Sequence, residues 1–259
     1  MSCIVKLLGS YLLLLNVFTV WSCVTCCMIY KIRNILYIQL NMEKINIEEV
    51  YKILERELKD YTIPLAEQIQ IKTKKPFFVL IGTILSARTK DKVTAKVCNK
   101  LFLKVKTIED LKKIKLESLE KILKPIGMYK TKARHLKELP LILEEKFENI
   151  IPQEIEELIE LAGVGRKTAN LVRSVAFKLP AICVDTHVFR IMNRIGYTDS
   201  KNPLETEMIL REKLPPHLWE KTNHLFVILG QNICKPRIPN CSKCPLKNMC
   251  PRNNVERYT

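Results

Sequence analysis

The chain has 259 residues, with 43 Lys+Arg against 27 Asp+Glu and a net charge of +16. That length excludes a scaffold too small to bury its own core and accommodates one large domain or two small ones. The positive surplus calls for an electrostatic partner, nucleic acid first and anionic lipid second, with a merely soluble basic protein as the bland alternative.

Residues 1–41 hold three positive charges, Lys6, Lys31 and Arg33, and no acids. Between Lys6 and Lys31 lie 24 uncharged residues, long enough to span a bilayer. Gly9, Ser10, Asn16 and Ser22 weaken that reading, and no small-residue cleavage site marks a signal peptide. A start of translation at Met42 is the third reading of this hydrophobic extension.

From Met42 onward helix follows helix. Asn46 with Glu49 is a cap signal, after which Val50, Ile53, Leu54 and Leu58 share one face. "PFFVLIGTILSA" (76–87) is apolar all round behind a proline and predicts a central buried helix. Thr107 with Asp110 opens another helix, and Thr131 to Phe147 carries a further one. "PQEIEELIEL" (152–161) has a proline start and acids in its first turn, which predicts a helix N-terminus. No long run alternates apolar and polar residues, so the class is all-α. Breaks fall at 178–185 and 201–205, and helical periodicity stops at Cys234.

"LAGVGRKTANLV" (161–172) leaves room for only a short hairpin between two helices. Gly163 and Gly165 permit backbone conformations and close approaches that a Cβ would block. The N–H groups from Val164 to Thr168 then point outward at the positive end of the helix dipole, an anion site that suits phosphate. Arg166 and Lys167 add charge there, which favours DNA over an ordinary helix–helix turn. Contacts of this kind position a nucleic acid without reading its bases.

"ELIELAGVGRKTANLV" resembles the helix-hairpin-helix of the endonuclease III family of DNA glycosylases. Asp185 in "VDTHVFRI", eighteen residues after Lys167, and "LWEKTNHLFVILGQNIC" extend the resemblance. It covers nearly everything from Met42 to the end. It implies a two-domain helix-hairpin-helix DNA glycosylase fold: a six-helix barrel over 69–179, and an iron–sulfur cluster domain built from 42–68 and 180–259. It also implies base excision repair of oxidised pyrimidines followed by strand cleavage by β-elimination.

The chemistry needs what two positions offer. A neutral amine can attack C1′ of the damaged nucleotide and form a Schiff base. Lys167, in the first turn of its helix, is disfavoured as an ammonium by the dipole, and partial burial would disfavour it further. The bland reading of Lys167 is a phosphate-binding lysine. Asp185 is a good N-cap, to which the resemblance adds stabilisation of positive charge on the sugar and help with proton transfer. His187 reads as structural or DNA-facing. His135, His217 and His224 show no ligand spacing.

Cys98 and Cys183 stand alone and read as small buried hydrophobes. The last four cysteines, Cys234, Cys241, Cys244 and Cys250, give C-x6-C-x2-C-x5-C. Disulfides do not suit a basic, DNA-directed intracellular protein, and structural zinc sites usually present two close pairs where this run has one. The spacing resembles the family's [4Fe-4S] loop, for which four thiolates are the right ligand set. Lys235 and Arg237 lie between the first two ligands, and the resemblance implies that they meet the DNA backbone.

A base reached at C1′ must leave the stack, and something must fill the gap. In the family, residues after the buried helix do this. Here "LSARTKD" (85–91) puts Arg88 where glutamine is common, and "IGMYKTKA" (126–133) offers Met128 as a second wedge, with plain core packing as its bland reading. Retention of Lys167 argues against the adenine and thymine-mismatch branches. The expectation is a monomeric bifunctional glycosylase/lyase on double-stranded DNA carrying damaged bases or abasic sites. It would be intracellular, in the nucleoid or, in a eukaryote, the nucleus or mitochondrion. The rival readings are a mismatch-type monofunctional glycosylase, a non-catalytic iron–sulfur DNA-binding protein, and a membrane-tethered protein.

Overall fold

Asn46 does what its position asks: its side chain accepts from the Glu49 N–H at 3.2 Å and opens helix α1 (Ile47–Glu57). The structure, a computed structural model, describes residues 45–259, so the three readings of residues 1–41 lie outside the described part. After α1 come α2 (Leu65–Thr73), α3 (Pro76–Ser86), α4 (Asp91–Phe102), α5 (Ile108–Lys113), α6 (Leu116–Leu123), α7 (Tyr129–Phe147) and α8 (Ile155–Ile159). The chain continues with α9 (Arg166–Phe177), α10 (Thr186–Arg194), α11 (Pro203–Lys213), a 3₁₀ turn at Pro216–Leu218 and α12 (Trp219–Asn232). The described residues contain no strand, and none of their helices is long and apolar enough to cross a membrane.

The apolar run behind Pro76 becomes α3, buried from Phe77 to Leu85. It packs on α2, α4, α7 and α9, as an all-round hydrophobic helix must. One core cluster runs from Leu65 to Ala176 and takes in Cys183. Beyond it, α10 packs on both α11 and α12, α1 lies against α12, and α9 touches α12. Asn46–Thr259 forms one compact unit.

Thr107 and Asp110 form the capping box their spacing predicts, with both reciprocal bonds in place. The helix expected from Thr131 begins two residues earlier and continues through Pro140 to Phe147. The helix expected over 152–161 is shorter: Pro152 stays outside it, Glu154 is the N-cap, and only Ile155–Ile159 is helical. Glu160 and Leu161 already fold back on Glu157 and Leu158, because the hairpin begins there.

Candidate DNA-repair active site

Gly163 carries φ +79, and a Cβ on it would stand 2.7 Å from Nδ1 of His135. Backbone handedness and packing therefore both require glycine there. Gly165 is different: it is the N-cap of α9 in extended backbone, and a Cβ on it would meet nothing within 4 Å. Nothing inside the protein needs Gly165 bare, so the open space belongs to whatever approaches from outside.

No side chain caps α9, which leaves the N–H groups of its first turn for an external acceptor. The set of free amides is smaller than the sequence suggests. Val164 donates its N–H to Leu161 O at 3.0 Å, and its side chain is buried in the core. Arg166 is also committed inward. Its Nε and Nη2 donate to the Glu207 carboxylate at 3.0–3.2 Å, tying α9 to α11.

Lys167 is exposed, so the partial burial expected for its amine is absent in the free protein. Its carbonyl accepts from Cys183 Sγ at 3.5 Å. The same segment is held from the other side by Asn223, whose Nδ2 donates to Cys183 O at 3.2 Å. Two residues on, Asp185 caps α10, its Oδ1 accepting from the His187 and Val188 N–H groups at 2.8 and 2.9 Å. Oδ2 has no hydrogen-bond partner among the described residues. Buried Cys183 thus joins the lysine and aspartate segments, and its thiol is pushed up by burial. His187 feels both charges: burial holds its imidazole below the usual range, Asp185 pulls it up, and Arg190 and Lys167 push it down. The ring packs on Gly230, where a Cβ would collide with it.

Arg88 follows the end of α3 with φ +56 and is exposed. Met128 is the N-cap of α7, also at φ +56, and 57% exposed, which excludes core packing. The carbonyl of Arg88 lies 3.5 Å from where a Cβ on Gly127 would stand, so the two turns touch.

Cys234, Cys241, Cys244 and Cys250 all line one pocket behind α10 and α12, with Ile191, Leu229 and Leu246 as its apolar wall. Burial pushes the Cys244 thiol up to about 11, and the Leu246 N–H pulls against it. Arg194 donates to Cys234 Sγ at 3.3 Å and to Lys235 O and Pro236 O at 2.7 and 2.6 Å. Arg190 donates to Cys234 O at 2.7 Å. The loop bearing Lys235 and Arg237 is thus pinned by arginine–carbonyl bonds, and both basic side chains are exposed with no partner among the described residues. Among those residues no group of three or more His, Cys, Asp or Glu closes round a single ion. The thiols ring a pocket instead. Cys98 is buried as expected, its thiol pushed up to about 12.

Sequence reasoning missed Glu207, Asn170, Arg190, Arg194 and Lys132. Arg190 and Arg194 sit four apart on α10 and could have been read as one face; the partners of the others are distant in sequence.

A glycine hairpin opens a helix with no side-chain cap, its lysine segment is joined through Cys183 to the segment in which Asp185 caps the next helix, and residues 81–216 match the HhH-GPD superfamily base excision DNA repair protein. Endonuclease III of Thermotoga maritima is 48% identical over 179 residues, 69% of this chain and 84% of that protein. Endonuclease III of Bacillus subtilis is 40% identical over 176 residues, 68% and 80% of the two chains. The structure of a trapped endonuclease III–DNA covalent intermediate, an estranged-adenine complex, matches with a TM-score of 0.71 and 36% identity over 81% of this chain and 96% of the other. The chain belongs to the endonuclease III family of DNA glycosylases.

Proposed function

We propose that this protein is a bifunctional DNA glycosylase and abasic-site lyase that removes oxidised pyrimidines, with Lys167 as nucleophile and Asp185 as its partner. The observation that carries this reading is the placement of Lys167 in the first turn of an uncapped helix, joined through Cys183 to the segment that ends at Asp185. The amides from Gly165 onward take a phosphate, Arg88 and Met128 enter the stack, and Lys235 and Arg237 hold the backbone further along. The working molecule is a monomer, found where its double-stranded DNA is. The core cluster over Leu65 to Ala176 supports a barrel over 69–179, with a second domain from 42–68 and 180–259.

The Lys167 amine attacks C1′, the glycosidic bond breaks, and the base leaves with the proton that the new C1′–N bond sheds, passed through Asp185. The sugar ring opens as the C1′–N bond becomes a protonated imine, O4′ taking a proton from water. Loss of a proton from C2′ then expels the 3′ phosphate and cuts the strand. Asp185 is held rigidly by its two cap bonds, so its free Oδ2 stabilises cationic charge on the sugar and accepts the proton that Lys167 sheds. Because Lys167 is exposed in the free protein, any shielding of its amine from water is supplied by the DNA that covers it.

The cysteine pocket fits a [4Fe-4S] cluster. Its donors are four thiols spread around a cavity rather than drawn to one point, with N–H groups aimed at sulfur. Such a cluster would order the C-terminal segment, which has no helix after Asn232, where apolar packing cannot.

Borohydride trapping on an oligonucleotide with one abasic site tests the mechanism. A covalent adduct is expected with the wild type and none with Lys167→Ala. An equal adduct from both would remove the nucleophile assignment. Excision of thymine glycol in the same assay tests the substrate class.

A further inference from the structure

Lys132 is the one lysine among the described residues whose side chain is buried, at 5% exposure. Its ammonium donates to Leu85 O at 2.8 Å, Ala87 O at 2.6 Å and Thr89 Oγ1 at 3.2 Å. An ammonium has three N–H donors, so each finds an acceptor. Leu85 belongs to the last turn of α3 and Ala87 is its C-cap, so their carbonyls are among those a helix cannot satisfy itself, and a cation there also meets the negative end of the dipole.

Two of those acceptors flank Arg88 on either side. Lys132 lies in the first turn of α7, its N–H making that helix's opening bond to Met128 O at 3.0 Å. Its side chain therefore ties the turn at Arg88 to the helix start that carries Met128, each with a left-handed residue at its exposed tip. A left-handed backbone at a non-glycine residue persists only where its surroundings hold it.

We propose that Lys132 is a positioning residue that joins Arg88 and Met128 into one rigid wedge, so that the protein distinguishes a gapped stack from an intact duplex. The inference rests on the reading, given above, that Arg88 and Met128 enter the DNA. Lys132 touches no DNA itself. Its buried ammonium fixes both tips before DNA arrives, so their ordering is not charged against the binding of damaged sites.

The test is equilibrium binding by the full, cluster-loaded chain to two duplexes, one undamaged and one with a tetrahydrofuran abasic analogue. Lys132→Met keeps the stem and removes the three donors. It should lower the preference for the abasic duplex by roughly tenfold, the scale of one or two loop residues ordered at binding rather than before. Affinity for the undamaged duplex should stay within about twofold, because the hairpin and the cysteine loop are untouched. Lys132→Arg should restore most of the preference. A folded Lys132→Met protein with wild-type preference would overturn the proposal. If Lys132→Met does not fold, Thr89→Val removes one acceptor alone and should lower the preference about threefold; no change would overturn the proposal equally.

The double variant Arg88→Ala/Met128→Ala separates this from the wedge reading. Wild-type preference in the double variant defeats the wedge reading itself. Loss in the double variant with none in Lys132→Met defeats only the positioning role. Adding Lys132→Met to the double variant should change the preference no further.

Discussion

Replacing Glu207 with alanine should loosen the hairpin helix from its neighbour. The carboxylate is 5% exposed and sits between Arg166 and Arg211, which are 37% and 27% exposed. Its Oε1 accepts from Arg166 Nη2 at 3.0 Å, Arg211 Nε at 2.9 Å and Asn170 Nδ2 at 3.3 Å. Asn170 closes the knot by accepting from Arg211 Nη2 at 3.0 Å. Breaking a fully buried ion pair from one side costs about 3–5 kcal/mol, because the other charge stays unpaired. Here both arginines reach water and rehydrate in part, so Glu207→Ala should cost about 2–3 kcal/mol. For a chain of this size that is a fall in Tm of about 5–10 °C. Glu207→Gln keeps the shape but turns an amide NH₂ toward an arginine or Asn170 donor, and should fall between alanine and wild type. Thermal unfolding followed by circular dichroism measures all three. A fall under about 2 °C for alanine, or a glutamine variant that melts like wild type, would show that α11 does not hold the hairpin helix through this carboxylate's charge.

The two hairpin glycines should respond oppositely. Gly163→Ala meets the His135 ring and a left-handed backbone, and should lose about 1–3 kcal/mol in a denaturant melt. Gly165→Ala should melt like wild type yet bind undamaged duplex several-fold more weakly, since its methyl group fills the space a phosphate needs; equal binding would remove the hairpin from the interface. Asp185→Asn keeps an Oδ1 acceptor for the α10 cap, so stability should hold while single-turnover excision falls about 100-fold or more. Asp185→Ala should lose about 1 kcal/mol of stability as well; excision by the asparagine variant at the wild-type rate would leave Asp185 a cap alone. Cys244→Ser should lower iron and sulfide per chain, measured chemically, and full iron retention would take Cys244 out of the ligand set. Lys235→Ala and Arg237→Ala should each flatten the slope of log K against log salt by about 0.9 if each contacts one phosphate, whereas Lys137→Ala, whose ammonium is spent on three carbonyls, should leave the slope unchanged.

The features legible in the sequence are those whose cause lies within a few residues. The Thr107 capping box, the proline-led apolar helix, the Gly163 turn and the Asp185 cap each depend on neighbours within one turn, and each forms where its pattern places it. The four cysteines are spaced by three residues to seven, and they share one pocket. The misreadings are of another kind. Arg166 reads as a hairpin cation facing the anion, but its acceptor is 41 residues away. Val164 reads as an outward amide, but its apolar side chain belongs inside and the turn closes on its N–H. Lys132 looks like any surface lysine in "YKTKARH" until its three acceptors, 43 to 47 residues earlier, stand around it. The helix over 152–161 is shorter at both ends: it opens only at the Glu154 cap, and Leu161 follows the hairpin's geometry rather than local propensity.

The same limit applies to charge. A positive surplus says that an anionic partner is favoured, not which cations meet it. The fold sorts them. Arg166 and Arg211 are drawn onto Glu207; Arg190 and Arg194 onto the carbonyls of the cysteine loop; Arg173 onto Gln153, Pro180 and Glu154; Lys132 and Lys137 onto helix-end carbonyls. These cations are fasteners, and arginine dominates because its planar fork can bind several fixed acceptors at once. Arg88, Lys167, Lys235 and Arg237 are among the cations left exposed without partners among the described residues, and they are the ones the proposed reaction would use. Arg166 and Lys167 are adjacent in sequence and basic alike, yet the first anchors the helix and the second is left at its open end.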